Sequence, residues 1–189
     1  MEQYFQPNDE AYITDVLSEA VMKTVIKYAR KAMDEPENYE ARSNLMWSST
    51  VALNHLLTVG KGGAWSVHPI EHVISAYYDI THGVGLAVLT PAWMSYVLSD
   101  MTAPRFARFA REVFGVEEAD NRKAAELGIQ RVREFNQSLG MPATLSGAGV
   151  PEDLFDEMAS EAVRTSTIAS KAYVRLESSD VKQILLNCK

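Results

Sequence analysis

Four histidines occur in the 189-residue chain, and three of them fall within fifteen positions. The stretch opens with Trp65-Ser66-Val67-His68-Pro69-Ile70-Glu71-His72, continues to Asp79-Ile80-Thr81, and reaches His82-Gly83-Val84-Gly85. A neutral imidazole offers one ring lone pair to zinc, iron, copper or nickel. His68 and His72 are four residues apart, so a helix places both rings on one face, about 6 Å from each other. Glu71 lies beside them. His82 follows His68 by fourteen residues, about 21 Å along a straight helix and too far to share an ion. Spacing alone therefore selects His68 and His72 as a ligand pair, completed by carboxylates elsewhere or off the chain. A three-histidine site needs the chain to reverse at Asp79-Ile80-Thr81. Asp79 and Thr81 suit a helix end or a new N-cap, and Gly83 and Gly85 permit close approach. The ordinary alternative for each ring is a satisfied core position, and that is the reading for His55.

The elements that must position these residues are helical throughout. After Pro7-Asn8, with Asn8 as N-cap, the residues Ile13, Val16, Leu17, Ala20, Val21 and Val25 recur at spacings of three and four, which predicts a long helix with that face buried. It should end near Asp34, before Pro36. A second helix is predicted from Asn38, with Leu45, Met46, Ala52, Leu53, Leu56 and Leu57 as its buried stripe and Gly60 as its stop. A third starts around Ser66, where Pro69 fits the first turn. A fourth starts near His82 and is bent or broken at Pro91. Further helices are predicted over Pro104 to Phe114, Asn121 to Leu139, Pro151 to Val163 and Ser179 to Leu186. Gly140 to Val150 is a loop. No alternating strand and no internal repeat occurs, so the fold class is an all-α, multi-helix single domain over 1–189.

Several other residues have ordinary readings. Trp47, Trp65 and Trp93 read as core. Tyr77-Tyr78 reads as core packing rather than a pocket wall. Arg105, Arg108 and Arg111 have helical spacing and read as a solvated face rather than an anion site. Cys188 has no partner near it in sequence and reads as neither ligand nor nucleophile.

Composition excludes some functions. The net charge of −7 is unsuited to nucleic acid, which needs clustered positive charge. A single cysteine rules out an intrachain disulfide and fits a reducing compartment. No apolar run approaches the ~20 residues that span a bilayer, and Met1 to Phe5 lacks the basic and apolar regions of a signal peptide. The expectation is a cytoplasmic protein with neither membrane nor nucleic acid as partner.

The segment from Trp65 to Gly85 resembles the histidine-rich signature of the iron-containing (group III) alcohol dehydrogenases. The flanks extend the likeness. Glu37-Asn38-Tyr39-Glu40-Ala41-Arg42-Ser43-Asn44-Leu45-Met46-Trp47 is similar to the preceding stretch of the butanol dehydrogenase-like branch. His82-Gly83-Val84-Gly85-Leu86-Ala87-Val88-Leu89-Thr90-Pro91 is similar to the stretch on the C-terminal side of that signature, and Leu139-Gly140-Met141-Pro142 with Leu145 to a later loop. The resemblance implies an enzyme that interconverts primary alcohols and aldehydes by hydride exchange with NAD or NADP. It implies a divalent metal, iron first and zinc second, acting as Lewis acid. It moves the ligand pair from His68 and His72 to His68 and His82. It sets His72 beside nicotinamide and substrate, as the residue that transfers or orients a proton. One departure concerns Glu71, where many relatives carry Ala.

By the same resemblance the remaining two ligands, an Asp and a His four residues apart, belong upstream of Met1, as does the nucleotide-binding domain. The chain itself has no strand, Gly-rich turn and helix in the order of a dinucleotide fingerprint; Lys61-Gly62-Gly63 has the wrong context. The expectation is the C-terminal helical part of the enzyme, inactive by itself and prone to homo-oligomerise through uncovered surface. The alternative is a non-catalytic helical binding module, with or without a metal held by His68 and His72. A third reading has a partner chain supply the nucleotide domain.

Overall fold

Asn38 accepts the amide of Ala41 on its side-chain oxygen at 3.0 Å, and the chain is helical from the next residue. Asn38, where the sequence predicts the second helix to begin, is its N-cap. A computed structural model describes residues 1–8 and 10–189. Among them the α-helices are α1 (Tyr12–Asp34), α2 (Tyr39–Leu53), α3 (Val67–Tyr78), α4 (His82–Val97), α5 (Ala103–Phe114), α6 (Asn121–Ser138), α7 (Phe155–Arg164), α8 (Ile168–Lys171) and α9 (Ser178–Leu186). The one sheet-type pairing among the described residues is a bridge between Ala64 and Ala172. The all-α class is therefore correct. Short 3-10 turns over Leu56–Thr58 and Ser146–Ala148, together with α8, escape the periodicity reading, since each is too short to show a period.

The chain divides into two compact units: residues 1–62 with 103–131, and residues 63–102 with 132–189. In the first, α1 packs against α2 and α5. The ring of Phe5 stacks on Phe106 at 4.5 Å and meets Phe109 edge-on at 5.3 Å. A Cβ on Gly128 of α6 would lie 2.6 Å from the Cβ of Ala110 on α5, so glycine is what lets these two helices approach.

The interior of this unit corrects the predicted burial. On α1 the buried residues include Thr14, Asp15, Ser18 and Glu19, whereas Ile13 is 74% exposed and Val16 and Leu17 are exposed as well. The polar face points inward because it meets cations there. The Asp15 carboxylate receives Arg105 at 2.6 and 2.5 Å, Arg108 at 3.2 Å, and Lys61. Glu19 takes Arg108 at 2.9 Å and the Tyr4 hydroxyl at 2.8 Å. The second Arg105 nitrogen also reaches the Tyr4 carbonyl at 2.6 Å, and the guanidinium lies over the Tyr4 ring at 3.8 Å. Burial alone would push the Asp15 carboxyl up; the hydrogen bonds and charges of Arg105 and Lys61 outweigh it and hold the group below its usual value.

Arg105, at 7% exposure, is thus a structural ion-pair residue and not part of a solvated face. Arg111 holds the Glu118 and Ala119 carbonyls at 2.7 and 2.8 Å. In α2 the expected stripe is exposed at Met46 and Leu53, at 71% and 73%, while Leu57 just beyond it is buried; Trp47, expected in the core, is 67% exposed. Asn8 does not cap α1, which begins after Ala11; its side chain donates to the Gly60 carbonyl at 2.6 Å and accepts from the Glu10 amide.

In the second unit α3 packs against α4 and α7, and α9 packs against α4 and α7. The core holds Ile70, Ile74, Leu89, Trp93, Met94, Leu145 and Phe155, all essentially inaccessible. Trp93 is core as predicted. The helix α4 runs unbroken through Pro91, contrary to a break there. Pro91 has no N–H for the Ala87 carbonyl four residues back, and the side-chain amide of Asn136 supplies that hydrogen bond at 2.8 Å. Cys188 is buried with its thiol against the Ile184 carbonyl at 3.2 Å, and burial pushes the thiol up to about 12. It is unsuited to act as ligand or nucleophile.

Candidate metal centre

The helix α3 starts after Ser66 and ends at Asp79, whose backbone is left-handed at φ 51°. A side chain is rarely tolerated there, and Asp is one of the few residues that tolerates it. The Asp79 amide still reaches the Ser75 carbonyl at 2.9 Å, closing the last turn. Thr81 is extended, and its carbonyl accepts the amides of Val84 and Gly85 at 2.8 and 3.2 Å as α4 begins. The chain thus reverses over Asp79-Ile80-Thr81, as a three-histidine site requires.

This corner draws all three imidazoles together. Ring centroids lie 5.9 Å apart for His68 and His72, 5.2 Å for His68 and His82, and 5.3 Å for His72 and His82. Spacing on one helix could bring only the first pair together; the reversal adds His82 at equal range. The Trp65 ring packs on His68 at 4.4 Å, so this tryptophan is a wall of the cluster rather than core. His72 and His82 are exposed and His68 half-buried.

Glu71 sits behind the rings with a fully buried side chain. One of its carboxylate oxygens takes the Nδ1 of His82, and the other takes the Ser75 hydroxyl. Ligand atoms from Glu71, His72 and His82 all lie within 4.8 Å of one another. Spacing places Glu71 beside the histidines and assigns it no task. The signal was available in part: Glu71 and Ser75 are four apart on α3 and therefore neighbours on one face.

His72 also lines a cavity of about 300 Å³ with Pro69, Val73, Ala76, Glu161 and Thr165. Tyr77 and Tyr78 are not core. Tyr77 is exposed and donates to Glu161 at 3.0 Å, and Tyr78 reaches Asp153 at 3.4 Å. His55 lies away from the cluster in sequence, exposed and left-handed at φ 67°, between α2 and the 3-10 turn after it.

Three converging imidazoles on α3 and α4, with a buried carboxylate beside them and no β-strand among the described residues, define a helical domain with a candidate divalent-metal site. Residues 1–188 match the Fe-containing alcohol dehydrogenase family, C-terminal, and the chain belongs to this family of oxidoreductases. It is 46% identical over 186 residues to NADH-dependent butanol dehydrogenase A of Clostridium acetobutylicum, covering 97% of this chain and 47% of that one. It is 32% identical over 150 residues to the NADPH-dependent aldehyde reductase YqhD of Escherichia coli K12, covering 79% and 38%. The crystal structure of NADH-dependent butanol dehydrogenase A from Thermotoga maritima superposes with a TM-score of 0.90 at 34% identity, over 99% of this chain and 48% of that one. The chain spans about half the length of the curated relatives it matches. No helix among the described residues is long and apolar enough to cross a membrane.

Proposed function

We propose that this chain is the metal-holding helical half of an NAD(P)-dependent alcohol dehydrogenase that interconverts primary alcohols and aldehydes. In this reading, residues 1–189 act as one functional domain. His68 and His82 are ligands of a divalent ion, and His72 faces the substrate and the nicotinamide. The observation that carries the reading is the convergence of the three rings at 5.2 to 5.9 Å, achieved only because the chain reverses between His72 and His82. The donor set fits iron or zinc: neutral imidazoles on rigid helices, with a carboxylate already hydrogen-bonded to one of them. The names of the relatives, NADH- and NADPH-dependent dehydrogenases and reductases of alcohols and aldehydes, supply the reaction class.

A bound divalent ion supplies Lewis-acid polarisation of the alcohol or carbonyl oxygen. The chain's own residues do the rest. Trp65 packs on His68 and fixes its ring plane. Glu71 orients His82. His72 opens on a cavity that admits a small organic molecule, and its ring nitrogen is placed to hold or pass a proton beside that cavity. No strand, Gly-rich turn and helix in the order of a dinucleotide cradle occurs among the described residues, so in this reading the nicotinamide is held elsewhere and the 189-residue chain alone does not oxidise alcohols. The setting is cytoplasmic, in keeping with the lone, buried Cys188, and the chain self-associates.

Metal content of the purified chain after equilibration with Fe(II) or Zn(II) tests the ligand set. Loss of metal in His82→Ala but not in His72→Ala supports this reading. Loss in His72→Ala but not in His82→Ala overturns it. That outcome favours a non-catalytic module built on His68 and His72, whose ring centroids lie 5.9 Å apart. Alcohol-dependent reduction of NAD or NADP by the purified chain would contradict the predicted inactivity.

A further inference from the structure

We propose that Glu71 is the positioning residue of His82: it holds the ring proton on Nδ1 and so leaves Nε2 as the nitrogen available to a divalent ion. This rests on the reading of His82 as a ligand.

Glu71 is fully inaccessible in a corner where His72 and His82 are both exposed. A buried carboxylate is costly unless each oxygen is matched, and here both are, one by the Ser75 hydroxyl and one by His82 Nδ1. An ionised carboxylate has only acceptor lone pairs, so the ring nitrogen must donate. A neutral imidazole with its proton on Nδ1 carries its lone pair on Nε2. That is the less favoured tautomer of a free histidine side chain in water, so the site must impose it.

The socket around Glu71 serves this arrangement. Gly85 stands where a Cβ would lie 2.6 Å from the Glu71 Cγ and 2.7 Å from Oε1; any side chain there displaces the carboxylate. The Ser75 hydroxyl lies 3.1 Å from the Ile80 carbonyl, which ties the carboxylate to the same chain reversal that delivers His82. Glu71 as a direct ligand is disfavoured, because both oxygens are engaged and no face of the side chain is open. Carboxylates that orient ligating histidines are a recurring device, and their loss weakens metal affinity by about 10- to 100-fold.

The test compares Glu71→Met, which fills the space without a strong acceptor, with Glu71→Gln. A glutamine can accept the His82 proton on its amide oxygen and donate to Ser75, whose own proton then goes to Ile80. Two-bond 1H–15N spectra of the metal-free, histidine-labelled chain at mildly alkaline pH report the tautomer. Circular dichroism confirms the fold, with Glu71→Ala as a substitute should Met not be accommodated. The expected result is an Nδ1–H tautomer for His82 in wild type and Glu71→Gln, lost in Glu71→Met. Zn(II) affinity by chelator competition should fall about 10- to 100-fold in Glu71→Met and recover largely in Glu71→Gln. An unchanged tautomer in Glu71→Met overturns the proposal. Loss of Zn(II) in Glu71→Gln as complete as in His82→Ala also overturns it, since Glu71 is then itself a ligand. A tautomer shift as expected, with no Zn(II) uptake by wild type, supports the positioning of His82 and counts instead against the metal reading.

Discussion

The side-chain amide of Asn136 donates to the carbonyl of Ala87 at 2.8 Å, the acceptor that Pro91 leaves without an N–H. A helix with an internal proline ordinarily loses one hydrogen bond and kinks; here α6 supplies the missing donor to α4. Asn136→Ala should cost about 1 to 3 kcal/mol by urea denaturation, the penalty for an unsatisfied acceptor. In a Pro91→Ala background the residue at position 91 supplies its own N–H, and the same substitution should cost much less. Equal costs in both backgrounds would refute the coupling.

Asp15 is fully buried with Lys61, Arg105 and Arg108 around it. Breaking a buried pair leaves uncompensated charge, at about 3 to 5 kcal/mol. Asp15→Asn should destabilise by that order near neutral pH. Because the folded Asp15 is held below its usual 3.8, its contribution is fully present above that value and is lost as pH falls through the lower, folded value. The gap between wild type and Asp15→Asn, followed by thermal denaturation, should therefore be constant near neutrality and close below about pH 4. A gap that widens in acid would contradict this.

Gly128 allows α6 to touch α5 at Ala110. Replacement by Ala normally favours a helix by about 1 kcal/mol. At this position the added Cβ meets another at 2.6 Å, and overpacking of about 1 to 3 kcal/mol should exceed that gain. The melting temperature of Gly128→Ala should fall, and Ala110→Gly in the same chain should restore part of the loss.

Asp79 closes α3 with a positive φ of 51°. Asp79→Gly should be neutral or stabilising by up to about 1 kcal/mol, and Asp79→Val should destabilise by more than about 1 kcal/mol. The valine variant should also disturb the His82 imidazole signals in NMR spectra, because the reversal carries that ring. Unchanged His82 signals in a destabilised Asp79→Val chain would separate the turn from the site.

Much of the fold was legible because helix period, caps and stops are local. Helices start after Asn38 and Ser66 and no α-helix enters 140–150, as read, whereas α2 stops at Leu53 and not at Gly60. The direction of burial was not. The apolar residues of α1 lie on one face as read, but Asp15 and Glu19 turn inward because Arg105 and Arg108, ninety and eighty-nine residues later, meet them there. No local pattern announces such partners. The site shows the same split. Spacing identified the histidines and the need for a bend, and the bend falls at Asp79 to Thr81. The likeness to known dehydrogenases favoured His82, whose approach to His68 depends on a left-handed residue that no spacing rule foretells. The hydrogen bond from His82 to Glu71 spans two helices and is equally invisible to a local pattern.

The contact between Glu71 and Gly85 ties two positions of the chain as evolutionary variables. A glutamate at 71 keeps its carboxylate in place only with glycine at 85, and a small residue at 71 frees 85 to vary. Relatives with alanine at the first position should thus accept a side chain at the second, so an alignment ought to show the two columns changing together. A protein designer moving this corner into another scaffold must transfer them as one unit.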